Sequence, residues 1–115
     1  MDTLIIEVAS EEEALAQAIA AIESDRPQPQ RYLFDSEEAL LDTLTGNRFA
    51  ILKALCGTGP TDPQALAQRV GRDLSAVHAD ADRLAAIGLI DKDENGTLHF
   101  PYAGVHLELD WRSAA

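Results

Sequence analysis

The stretch from Asp62 to Gly88 must hold two helices with only a three-residue corner between them, and that leaves it few ways to fold. Asp62 stands where an N-cap belongs. Pro63 comes next at the first helical position, where its missing N–H costs nothing. Leu66, Ala67 and Val70 then recur at helical spacing, and Gly71 ends the run. After Arg72 and Asp73 a second run begins, with Leu74, Val77, Ala81 and Leu84 at spacings of 3, 4 and 3, predicted to face inward, and Gly88 closes it. Two helices that meet so abruptly need a residue able to adopt positive φ between them, and Gly71 supplies it.

Residues 89–100 extend the pattern. Leu89-Ile90 are expected to begin a strand, Asn95-Gly96 is a strong two-residue hairpin signal, and Leu98 and Phe100 return on one face. Helix, tight turn, helix and hairpin is the order of a helix-turn-helix with a wing after it, in which the second helix lies in the major groove. With its apolar stripe inward, the second helix presents Ser75, Ala76, Ala79, Asp82, Arg83 and Ala86 outward, and Arg72 leads into it. The candidate DNA contacts are therefore Arg69, Arg72, Ser75, Ala76, His78, Ala79 and Arg83. His78, at the edge of the stripe, has two readings: a phosphate contact, or a ring satisfied within the fold. Asp80 is expected to be a structural ion-pair or cap partner, with Arg83 spaced to reach it at i,i+3. Asp73 is read as an N-cap, and Asp82 as a charge that repels phosphate.

The flanks read as an α+β frame around that unit. Thr3 to Ala9 is an apolar, β-rich strand. Ser10 and Glu13 have capping-box spacing, and the helix they open places Leu15, Ala18, Ile19 and Ile22 on one stripe. Ser24 to Gln30 holds two prolines and no apolar residue, and reads as a linker. Asp35 and Glu38 repeat the box before a short helix through Leu44. Thr45 starts another, with Phe49, Leu52, Leu55 and Cys56 inward. Val105, Leu107, Leu109 and Trp111 alternate with polar residues as a half-buried strand. The predicted division is an N-terminal strand-helix extension and linker over residues 1–31, then a winged helix-turn-helix domain with a C-terminal strand over residues 32–115. The two terminal strands are expected to pair, within or between copies, and to support a homodimer.

The net charge of −11 argues against nucleic acid until its distribution is read. Residues 1–44 carry −9, residues 45–90 carry +1 and residues 91–115 carry −3. Arg48, Lys53, Arg69, Arg72 and Arg83 all lie in the central part. The chain's 115 residues fit one domain. A lone cysteine, Cys56, permits no intrachain disulfide and is expected in the core, in a reducing compartment. No apolar run reaches the roughly 20 residues of a membrane span, and Met1-Asp2-Thr3 lacks the basic start of a signal peptide, so a cytoplasmic protein without membrane association is expected. His78, His99 and His106 lack metal-ligand spacing, and there is no nucleophile motif or phosphate-cradling loop. The expectation is no metal, no cofactor and no catalysis.

Thr61 to Ile90 resembles the small winged-helix DNA-binding proteins of archaea and bacteria that are treated as antitoxin-like transcriptional regulators because their genes often neighbour toxin genes. The residues that carry the likeness are Leu66-Ala67, Val70-Gly71-Arg72-Asp73, Val77-His78, Asp80, Leu84, Gly88-Leu89-Ile90 and Phe100-Pro101-Tyr102. A weaker likeness reaches Leu44-Thr45 with Arg48 and the N-terminal strand and helix. The resemblance implies a dimer that binds double-stranded operator DNA, with a toxin protein as a further partner. Where this chain has Ser75 or Ala79, members of that family commonly carry a basic residue. A reading of another class treats the acidic N-terminal part as a clamp for a basic partner, with the helix pair as its scaffold.

Overall fold

The computed structural model describes residues 2–24 and 30–109. Its fold is mixed α+β. In chain order the elements are β1 (Thr3–Val8), α1 (Glu11–Glu23), β2 (Arg31–Phe34), α2 (Glu37–Thr43), α3 (Gly46–Leu55), α4 (Pro63–Val70), α5 (Leu74–Ala86), β3 (Asp91–Lys92), β4 (Leu98–His99) and β5 (Gly104–Glu108). The first, second and fifth strands form an all-parallel sheet in the order β2-β1-β5, and β3 and β4 form a separate antiparallel pair.

The first and last strands therefore pair within one chain, with Leu4 opposite Val105 and Ile6 opposite Leu107. The strand assigned from sequence to an N-terminal extension is the central strand of this sheet. Alternation sends Leu4, Ile6 and Phe34 into a core shared with Leu40, Leu44, Ile51, Leu52, Leu55, Leu66, Val77, Leu84, Leu98 and Phe100. Burying each such side chain is worth about 1.5–3 kcal/mol, so the sheet and the helices stabilise one another. Tyr32 adds a polar tie from the same face, its hydroxyl donating to the Ile87 carbonyl at the end of α5 over 2.6 Å.

Local chemistry sets most of the boundaries. Ser10 caps α1 by accepting from the Glu13 N–H, and Thr45 caps α3 by accepting from Arg48. Gly71 takes φ 69°, ψ 36°, and the Gly71 and Arg72 N–H groups both reach the Ala67 carbonyl. Nothing lies within 4 Å of where a Gly71 Cβ would sit, so the backbone angle alone selects glycine there.

Several expectations need correction. Ser36, not Asp35, caps α2, because its Oγ is the oxygen that accepts the Ala39 N–H. Asp62 holds the N-cap position of α4 without a side-chain cap bond. Leu74 is exposed, since the first turn of α5 projects past the core. Leu89 and Ile90 are buried but precede β3 instead of opening it. The hairpin does not turn on two residues. Gly96 alone has positive φ, its N–H bonds Asp93 O, and Asp93 N–H bonds Thr97 O, which makes a longer loop closed by a glycine bulge. Asp93 favours it by accepting from the Asn95 and Thr97 N–H groups. Phe49 and Cys56 are only half-buried. The stripe on α1 faces solvent, with Leu15 62%, Ile19 47% and Ile22 84% exposed. Most of the linker, and Trp111, lie outside the described residues.

Candidate nucleic-acid interface

The helices α4 and α5 meet at the Gly71 corner, and the hairpin leaves α5 through Leu89-Ile90. Val77, Ala81 and Leu84 anchor α5 inward. Its exposed side carries Leu74, Ser75, His78, Ala79, Asp82 and Arg83. Of the residues singled out from sequence, the structure gathers Ser75, His78, Ala79 and Arg83 on this face. Ala76 is half-buried beside it. Arg69 is exposed near the end of α4, with its guanidinium 3.4 Å from the Thr61 hydroxyl.

Three charge contacts define the electrostatics. The first joins Arg48 of α3, Asp80 of α5 and Arg72 of the corner. Arg48 Nε donates to Asp80 Oδ1 at 3.1 Å, while Arg72 Nη1 lies 2.9 Å from Asp80 Oδ2 as an ion pair without an aligned hydrogen bond. All three side chains are largely covered, between 17% and 24% exposed. Arg48 Nη1 also donates to the Thr43 carbonyl at 2.9 Å. Asp80 thus pairs with these two arginines, not with Arg83. A carboxylate there can serve α3 and the corner at once, because both lie against the same side of α5.

The second contact reaches across to the hairpin. Lys92 Nζ donates to Asp82 Oδ1 at 2.5 Å, and His78 Nδ1 lies 3.2 Å from Asp82 Oδ2, one helical turn away. The Lys92 hydrogen bond, with the charges of Lys92 and His78, holds the Asp82 carboxyl below its ordinary range. Asp82 is therefore a paired acid, hydrogen-bonded to Lys92, with the half-exposed His78 ring beside its other oxygen.

The third sits at the start of α5. Asp73 accepts from the Ser75 N–H and the Ser75 hydroxyl, which lowers its pKa, the hydroxyl bond being the larger cause. Ser75 thus faces outward with its hydroxyl already engaged. The side chain is in position for a ligand, but its donor is committed to the cap.

Lys53 lies elsewhere. It lines a groove of about 380 Å³ between α3 and β5, with Phe49, Leu52, Cys56, Val105 and Leu107, to which α4 and α5 contribute nothing. Burial there pushes the Cys56 thiol pKa up, so it is held as a neutral thiol. Sequence reasoning missed Lys92 and Arg48 as members of the site. Both contacts join residues far apart in sequence or on different elements, and helical spacing carries no signal for either. Among the described residues no group of three or more His, Cys, Asp or Glu side chains is disposed to hold a metal ion. No helix among them is long and apolar enough to cross a membrane.

The model of the HVO_A0114 family matches residues 43–107, from the end of α2 through β5, so it takes in the helix corner, the hairpin and the last sheet strand. No curated protein and no solved structure matches the chain significantly. The family match covers more than half of the sequence, and the chain belongs to the HVO_A0114 family.

Proposed function

We propose that this HVO_A0114-family chain is a DNA-binding transcriptional regulator of winged helix-turn-helix type, antitoxin-like, acting as a dimer on operator DNA in the cytoplasm. The observation that carries the reading is the α4–Gly71–α5 corner with its outward α5 face, to which Lys92 fastens the hairpin through Asp82. A second helix exposed along one side, with a hairpin after it, suits insertion into a major groove with the wing on the backbone. Neutralisation of Asp82 supports the same reading, since an unpaired carboxylate on that face would repel phosphate. Arg83 on the α5 face and Arg69 near the end of α4 are exposed cations without a carboxylate partner among the described residues.

Such a site neutralises few phosphates, about 2–4 per protomer, so a dimer should show a log–log salt slope of about −4 to −7. The test is fluorescence anisotropy with duplex DNA from upstream of the gene across a salt series. Arg83→Ala and Arg69→Ala should each weaken binding and reduce the slope by about one. Ala79→Arg should strengthen binding to any sequence. Absence of binding by the wild type at low salt removes the reading.

A second reading is supported by one observation, the apolar stripe Leu15, Ile19 and Ile22 exposed on a helix that opens with Glu11, Glu12 and Glu13. An acidic helix with an uncovered apolar face suits a basic partner, such as a toxin, held by the N-terminal part. If that is the chain's main role, Leu15→Glu abolishes partner binding while DNA binding is absent or unchanged.

A further inference from the structure

The sheet order β2-β1-β5 leaves the outer edge of β5 without a neighbour among the described residues. An open edge is a template for another strand, and this one is not blunted by proline or by an inward-pointing charge. Leu107 and Leu109 are 39% and 38% exposed beside it. The mainly apolar groove between α3 and β5, lined by Phe49, Leu52 and Cys56 with the exposed Lys53 among them, runs along β5. We propose that a second copy of this chain occupies that edge, with β5 pairing antiparallel to its own two-fold mate about Leu107 to give a continuous six-stranded sheet. The proposal deepens the dimeric reading above by naming its interface, and its test uses no DNA, so the two can fail separately.

A second copy fits this edge because the strand is complementary to itself. An isologous contact brings each residue opposite another whose positions sum to the same value. Centred on Leu107, that rule sets His106 opposite the mate's Glu108 and Glu108 opposite the mate's His106, giving two pairs of opposite character on the outer face. On the inner face Leu107 meets its own copy, and Val105 meets the mate's Leu109. Six apolar side chains then lie over the two α3 grooves. His106 and Glu108 are free to make these pairs, being 61% and 49% exposed and joined, among the described residues, only to each other, at 3.4 Å. The stripe on α1 is a second uncovered apolar surface among the described residues, but it cannot pair with itself so cheaply. Glu11, Glu12, Glu13 and Glu23 flank it, and self-association would bring these like charges together.

The experiment is sedimentation equilibrium of the full chain from about 1 to about 100 µM, with circular dichroism to confirm that each variant folds. Wild type should dimerise. His106→Glu places like charges opposite one another twice and should weaken the dimer roughly tenfold. The double variant His106→Glu/Glu108→Lys exchanges the signs and should restore wild-type affinity, an outcome no general loss of stability would give. Leu107→Arg should give a monomer. A wild type that stays monomeric across the range overturns the proposal. So does a dimer indifferent to His106→Glu and Leu107→Arg, or one abolished instead by Leu15→Glu/Ile19→Glu on α1.

Discussion

Replacing Asp80 by alanine tests how the candidate interface is held in place. The substitution leaves the Arg48 and Arg72 guanidiniums facing each other across an empty site, each less than a quarter exposed. Breaking a fully buried ion pair costs about 3–5 kcal/mol, and an exposed pair contributes at most about 1 kcal/mol. These groups are mostly covered yet reach solvent. One bond is charge-assisted, a class worth about 1.5–3 kcal/mol. The expected loss is therefore about 2–3 kcal/mol. Urea unfolding monitored by far-ultraviolet circular dichroism measures it. With a slope of about 1–1.5 kcal/mol per molar for a chain of this size, the midpoint should fall by roughly 2 M without a change of slope. Asp80→Asn keeps an acceptor for Arg48 and should lose about half as much. A midpoint that moves by less than about 0.5 M would show that Asp80 is an ordinary surface acid, and that the contact does not fix the corner to α3.

Gly71→Ala should cost about 1 kcal/mol and Gly71→Val more, read by the same unfolding curves, because only φ and no steric neighbour opposes the side chain. Tyr32→Phe should cost about 1 kcal/mol by removing the bond to the Ile87 carbonyl, and an unchanged midpoint would mean that water replaces it without loss. Asp82 has its folded pKa below the unfolded value. Its contribution to stability is therefore present above the ordinary carboxylate pKa of about 3.9 and is lost as pH falls through the lower folded value. A carboxyl titration by NMR should show that depression, and Lys92→Met should largely abolish it.

The sequence makes legible whatever a single element decides for itself. Pro63, Gly71, Asp73 and Gly88 bracket two helices because a fixed φ, a cap and a positive φ act within a turn or two of chain. Val77, Ala81 and Leu84 face inward because periodicity and burial agree. Expectations fail where a tertiary partner decides. Leu74 has the right spacing for the stripe, yet the core ends before it. The Asn95-Gly96 pair suits a two-residue turn, but Asp93 offers its carboxylate to two backbone N–H groups and favours the longer loop. Pairing of the terminal strands is expected from their composition. Their parallel register, with β1 between β2 and β5, joins strands about a hundred residues apart and has no local signal. At the site, a structural role for Asp80 is legible, but its partners Arg48 and Arg72 are selected by helix packing, not by spacing.

The same dependence on tertiary partners bears on how a chain with a net charge of −11 would approach DNA. Asp80 and Asp82 are both neutralised inside the α3–α5–hairpin unit, one by arginines and one by Lys92. Lys92 then has two separable roles. As a free cation it would attract phosphate directly. As the partner of Asp82 it masks a negative charge on the α5 face and ties the hairpin to that helix. A double-mutant cycle distinguishes them. If Lys92 contacts phosphate, Lys92→Met weakens DNA binding by the same factor whether residue 82 is Asp or Asn. If it masks Asp82, Lys92→Met weakens binding in the wild-type background and has little effect once Asp82→Asn has removed the charge. The geometry favours masking, since the ammonium sits 2.5 Å from Asp82 Oδ1 and the hairpin tip beyond it carries Asp93 and Glu94, which repel phosphate. Anisotropy at one low salt concentration suffices for all four proteins. Equal losses on both sides of the cycle would assign Lys92 to the phosphate backbone and leave Asp82 as a repulsive charge on the face.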